Sequence, residues 1–217
     1  MRLRKVPHAE EAIRNNQTVM IHDSKERKGS WSSVFQNHHP IRLEIGCGKG
    51  KFLLELAKLH PEINFIGVEK FESVLVRAVE KAELDPPVNL RFLWIDAEEL
   101  PECFGNGEID MIYLNFSDPW PKSKQKKRRL THPLFLMRYL SFLKPNGRIL
   151  MKTDNFGLFM DSMVWFVESD WHLETISLNL HAEPHLENVE TEFETRFVAM
   201  GHSIYYLSAV RPEESHA

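Results

Sequence analysis

The sequence predicts an α/β protein: a doubly wound, mostly parallel sheet with helices on both faces. Three observations point there. From Ile41 onward, short apolar runs alternate with longer amphipathic ones, the pattern of strands joined by crossover helices. Strand cores such as Met111-Ile112-Tyr113-Leu114 are apolar throughout, as suits strands buried on both faces. Finally, Gly46, Gly48 and Gly50 stand where the first strand turns into a helix, a junction at which backbone approaches a ligand closely.

Taken in order, residues 1–39 carry no strong periodicity and read as a partly ordered basic N-terminal arm, opening Met1-Arg2-Leu3-Arg4-Lys5. Within it 9–16 suits a short helix, and 23–33 is polar around an isolated Trp31. Residues 40–217 read as one domain. Its expected strands are 41–45, 64–68, 89–95, 109–114 and 148–152, and its expected helices 50–59, 73–84, 133–143 and 155–169. In the first of these helices Phe52, Leu53, Leu56 and Ala57 share a face. Two long aromatic-rich runs, 171–180 and 197–210, read as final strands with a short polar connection between them, which favours an antiparallel ending.

Composition narrows the class. The chain has 217 residues with 42% hydrophobic and 27% charged, an ordinary balance for a soluble domain with a substantial core. No apolar run approaches the roughly 20 residues of a membrane span, and no signal-peptide core follows the basic start. Cys47 and Cys103 are the only cysteines, too few for a disulfide framework or a cysteine-rich zinc site. The expected location is the cytoplasm, with no metal and no membrane partner. Net charge is -4, yet residues 122–129 hold six cations and no acid. An acidic protein that keeps one dense cationic run is built for a partner with clustered negative charge.

The glycine loop departs from the dinucleotide fingerprint, whose third glycine would fall at Lys51. Glu69 ends the second strand, where an acid can accept both ribose hydroxyls of a nucleoside. Asp96 follows the third. It can accept an adenine amino group, with Ala97 giving backbone contacts, or cap the helix that starts at Glu98.

After the fourth strand, where ligands of such sheets bind, the chain reads Asn115-Phe116-Ser117-Asp118-Pro119-Trp120-Pro121-Lys122. Two prolines stiffen this loop and fix the directions of Asp118 and Trp120. A carboxylate beside an indole suits a planar base, which the acid can hydrogen-bond and the ring can stack. Asp154, after the fifth strand, is a good N-cap for the next helix. Thr191 and Glu194 have capping-box spacing.

With Glu44-Ile45-Gly46-Cys47-Gly48-Lys49-Gly50, Val68-Glu69 and Ile95-Asp96-Ala97, the sequence resembles the class I methyltransferases, a Rossmann-like fold of seven mostly parallel strands with the last antiparallel. The resemblance implies S-adenosyl-L-methionine, held by Glu44, Gly46, Gly48, Gly50, Glu69, Asp96, Ala97 and Asp118. The loop Phe116 to Lys122, the cations behind it, Thr153-Asp154 and Thr191-Glu192-Phe193-Glu194 together resemble the tRNA (guanine-N7-)-methyltransferase family over residues 41 to about 207. That resemblance implies methylation of a guanine in the tRNA variable loop (tRNA position 46), with Asp118 catalytic. It implies substrate contacts at Lys122, Asp154, Thr191, Glu192, Phe193 and Glu194, and RNA contacts at Lys124, Gln125, Lys126, Lys127, Arg128 and Arg129. A monomer and a homodimer are both compatible with it. Phe193 stands where the family usually carries tyrosine, so a role that needs the phenol hydroxyl cannot operate here.

Rival readings fit less well. A small-molecule methyltransferase would not need the basic run. Methyltransferases of exocyclic amines usually carry adjacent prolines after the fourth strand, which Trp120 separates here. A silent RNA-binding subunit would have no use for Glu44, Glu69, Asp96 and Asp118 together, and a nicotinamide dehydrogenase is disfavoured by the glycine spacing.

Overall fold

The computed structural model describes residues 6–183, 185–186 and 188–212. Two compact units make up the chain, Met1–Gly105 and Asn106–Ala217.

In the first unit, helices α1 (Ala9–Asn15) and α2 (Trp31–Phe35) precede β1 (Ile41–Ile45), α3 (Lys51–Leu59), β2 (Asn64–Glu69), α4 (Glu72–Glu83), β3 (Leu90–Trp94) and α5 (Leu100–Cys103). The strands run in the order β3-β2-β1, all parallel, with Leu43 opposite Ile66 and Val68 opposite Leu93. Every residue of β2 is buried, as expected of a parallel strand covered on both faces. α3 buries the predicted stripe of Phe52, Leu53, Leu56 and Ala57. The described part of the arm packs closely. Ile13, Val19 and Trp31 are fully buried, and the Trp31 indole N–H donates to the carbonyl of Cys103 at 2.9 Å. Val19 and Ile21 exchange backbone hydrogen bonds with Phe92, which covers the β3 edge that would otherwise lie open.

In the second unit, β4 (Ile109–Asn115), α6 (Pro133–Leu140), β5 (Leu143–Thr153), α7 (Phe156–Glu168), β6 (His172–Ser177), α8 (Glu192–Ala199) and β7 (Tyr205–Val210) follow in order. β4 and β5 are parallel, and β7 lies between β5 and β6, antiparallel to both.

The ending is antiparallel as expected, but its path differs. Phe197 does not begin a strand. It belongs to α8, and the connection between β6 and β7 carries that helix together with a short 3-10 turn, Leu180–Ala182. The local signals for the helix outweigh the strand-like Phe197-Val198 pair. Thr191 and Glu194 form the reciprocal capping box at its start. At its end Gly201 has φ +81° and the His202 amide reaches back to the carbonyl of Phe197, a Schellman-type close. α6 stops at Leu140, and β5 pairs already from Leu143, with a register shift against β4 between Ile109 and Met111. The cap of α7 is Asn155, whose side-chain oxygen accepts from Leu158, rather than Asp154.

Candidate active site

In the first unit the carboxyl ends of β1, β2 and β3 carry the glycine loop, Glu69 and Asp96. Gly46 and Gly48 have φ +81° and +58°, and a Cβ built on either would meet no atom within 4 Å. The loop is therefore both left-handed and open, the shape that admits a ligand against the backbone. Gly50 serves packing instead: at φ +74° its added Cβ would lie 2.8 Å from the Cβ of Ala78 on α4.

Glu69 is buried at the end of β2. One carboxylate oxygen accepts from the Gly48 amide at 3.2 Å, the other from Lys70 and Phe71 at 2.9 and 3.0 Å. Burial raises its pKa above the ordinary 4.5, and these amides and the Lys70 charge only partly offset the rise. Glu44 is buried within β1. Burial, then the charges of Glu44 and Glu69, push the Cys47 thiol well up, so Cys47 packs as a neutral side chain. Asp96 caps the turn Ala97–Glu99 by accepting from Glu98 at 3.0 Å, while the Glu99 carboxylate accepts from the Asp96 amide. Its capping role is thus realised. The same carboxylate remains 46% exposed, with Lys70 at 3.7 Å, and so keeps acceptor capacity for a ligand.

The open loop, the nucleoside-ready Glu69 and the exposed face of Asp96 fit the adenosine and amino-acid parts of S-adenosylmethionine. If Glu69 receives hydroxyls as a carboxylate, cofactor affinity will fall on acidification, starting above pH 4.5 because its pKa is raised. Calorimetric titration of Glu69→Gln should show a loss on the order of ten- to a hundredfold, since hydrogen bonds to a charged group are worth ~1.5–3 kcal/mol, and a flat pH profile.

In the second unit three segments converge. The amide of Phe116 donates to the carbonyl of Lys152 at 2.8 Å, which joins the Asp118 loop to the end of β5, next to Asp154. The Phe116 ring lies 6.4 Å from Phe193 and 5.9 Å from Phe197 of α8. Lys152 reaches α8 from below, its ammonium 2.6 Å from the Glu194 carboxylate. Asp118, Lys122, Lys124, Lys127, Arg128 and Phe193 are exposed.

Three expected contacts are reassigned by burial. Glu194 is fully buried and its carboxylate is committed to Lys152, Asn188, His181 and the Thr191 amide. Thr191 is buried as the helix cap. Both side chains hold the segment in place, and within it the Phe193 ring is exposed. Arg129 is the third. It is 4% exposed, and its guanidinium is committed to the carbonyls of Pro119 and Trp120 and to Asp161. Lys126 shares Asp161 at 2.7 Å. The cationic run thus has a balancing acid, supplied from α7 and invisible in the local sequence. Lys152 went unnoticed there, although a lysine inside the apolar run Ile149-Leu150-Met151-Lys152 implies a buried partner.

A left-handed glycine loop with acids at the next two ends of its parallel strands, and an antiparallel β7 in the second unit, define an S-adenosylmethionine-dependent methyltransferase of the Rossmann-like class. Solved structures agree on the fold: an antibiotic-related methyltransferase superposes with TM-score 0.65 at 17% identity, covering 89% of this chain and 97% of the other. A family model described as "Putative methyltransferase" matches residues 38–207. The tRNA (guanine-N(7)-)-methyltransferase of Lachnoclostridium phytofermentans is 47% identical over 99% of this chain and 100% of its own. That of Listeria welshimeri is 48% identical over 96% of this chain and 98% of its own. The chain belongs to the tRNA (guanine-N7-)-methyltransferase family.

Proposed function

We propose that this chain methylates N7 of a variable-loop guanine in tRNA, with Asp118 at the reacting base and the cations behind it on the RNA backbone. The observation that carries the reading is the packing of the Phe116 ring, at the head of the exposed Asp118 loop, on Phe193 and Phe197, with Arg128 of the cationic run 5.0 Å from the Trp120 ring of the same loop. S-adenosylmethionine supplies a methyl group on a sulfonium, a strong electrophile.

Guanine N7 carries a free in-plane lone pair at neutral pH, so no base need remove a proton before attack. The chain's work is alignment and electrostatics. Glu69, Asp96, Ala97, Glu44 and the glycine loop hold the donor. The base gains positive charge as its new bond forms, and the Asp118 carboxylate favours that charge while accepting from the N–H edge of the ring. Trp120 and Phe193 offer apolar faces for stacking. Lys122 and Asp154 contact the substrate, and Lys124, Gln125, Lys127 and Arg128 steer and fix the RNA through its phosphates, which position it without choosing the base.

Among the described residues no helix is long and apolar enough to cross a membrane. A cytoplasmic enzyme acting as a monomer or homodimer fits the reading.

The test is the salt dependence of tRNA binding. Replacing Lys124 and Lys127 by Ala should weaken binding and flatten the log–log salt slope by about one per lost phosphate contact. An unchanged slope in filter binding would remove the patch from the RNA interface.

A further inference from the structure

The peptide groups on both sides of Trp120 are gripped by one buried guanidinium. Trp120 has φ +37°, a left-handed conformation unfavourable for a side chain of its size, which persists only where its surroundings over-determine it. Arg129 supplies the constraint. Its Nε donates to the carbonyl of Pro119 at 2.6 Å, and an Nη donates to the carbonyl of Trp120 at 3.4 Å. Those carbonyls flank the two rotatable backbone bonds of Trp120, so one rigid planar group sets both torsions. The other Nη donates to Asp161 on α7, and the Trp165 ring lies 5.6 Å from the guanidinium carbon. Lys126 donates to the same Asp161 oxygen at 2.7 Å. Burial pushes the Asp161 pKa up, but its bonds to Lys126 and Arg129 outweigh that and leave it lowered, so the carboxylate stays charged at neutral pH. On the open side, the Arg128 guanidinium sits 5.0 Å from the Trp120 ring.

We propose that Arg129, anchored on Asp161, is a positioning residue for methyl transfer: it locks the Pro119-Trp120 backbone in its strained form and thereby aims Asp118 and the Trp120 indole at the acceptor base. The basic run then has two functions. Its exposed members meet RNA, while Arg129 ties the run to the reacting loop, and Asp161 anchors both Arg129 and Lys126. Lysine cannot replace Arg129, because an ammonium is a point donor and cannot span two carbonyls and a carboxylate in one plane. The inference rests on reading the Asp118 loop as the acceptor loop.

The test compares Arg129→Lys, Arg129→Ala, Asp161→Asn and Asp118→Ala with the parent enzyme. Single-turnover methylation of saturating tRNA, equilibrium tRNA and cofactor affinities, and thermal midpoint are measured for each. Arg129→Lys is expected to lower the single-turnover rate on the order of 10- to 100-fold, the cost of misplacing a reacting group by about 1 Å. Its tRNA and cofactor affinities should stay within about threefold, since no phosphate contact is lost. Asp161→Asn, which keeps a hydrogen-bond acceptor, should lower the rate less. Added guanidinium at non-denaturing concentration should partly restore Arg129→Ala, and ammonium should not. A loss of tRNA affinity at an unchanged saturating rate would overturn the proposal and make Arg129 an RNA contact. So would a lowered thermal midpoint with the folded enzyme fully active. If Asp118→Ala is inactive while Arg129→Lys is unimpaired, the brace alone is refuted; if Asp118→Ala is itself active, the acceptor-loop reading fails.

Discussion

Replacing Asp118 with Asn or Ala is expected to reduce the single-turnover rate on tRNA by on the order of 10²–10³, the usual cost of removing one preorganised group that opposes developing charge. The two variants separate two contributions. Asn keeps the length and one acceptor oxygen but loses the charge, so its deficit reports electrostatic stabilisation of the methylated ring. Ala also loses the hydrogen bond to the base and should fall further. Because Asp118 is exposed, neither change should alter folding stability by more than the ~0.5 kcal/mol typical of surface positions. Near-parental rates for both variants would remove Asp118 from the reaction.

The largest effect on stability is expected at Lys152. Its ammonium is 6% exposed and bonded to Glu194, which is fully buried, to Asn188 at 3.0 Å and to the carbonyl of Val189 at 2.8 Å. Lys152→Met would leave the Glu194 carboxylate buried with only its neutral partners and His181. Breaking such a pair from one side costs ~3–5 kcal/mol, so denaturant unfolding should show a loss of that size. The pair also makes stability depend on acid. Burial raises the Glu194 pKa, but Lys152 and the Asn188 and His181 bonds overcome this, and the net shift is downward from 4.5. A carboxyl depressed in the folded state contributes stability that is fully present above its unfolded pKa and disappears as pH falls through the folded one. Glu194→Gln should therefore flatten the acid limb of the stability profile below about pH 4.5. An unchanged acid limb would show that the pair does not govern it.

These two sites differ in how far the sequence discloses them. The Asp118 loop announces itself, because two prolines, a tryptophan and a following cationic run lie within a few residues. The positions proposed for the donor are equally legible: Gly46, Gly48, Glu69 and Asp96 lie at or just after strand ends, and strand ends follow from apolar runs. What could not be read is tertiary pairing. Arg129 looks like any other cation of its run, because the acid that claims it lies 32 residues away on α7. Glu194 has the spacing of a helix cap and also of a substrate contact, and only its burial against Lys152 decides between them. The strand expected over 197–210 occupies only Tyr205–Val210, for a related reason. Aromatic and β-branched residues fit either element at Phe197-Val198, and the decision lay in the capping box before them and Gly201 after them.

The most direct test is to incubate the purified chain with methyl-labelled S-adenosylmethionine and unmodified tRNA, then digest the RNA and map the labelled nucleoside. The account predicts 7-methylguanosine at one variable-loop guanine, dependent on Asp118. Label in another nucleoside, or in 7-methylguanosine outside the variable loop, would contradict it.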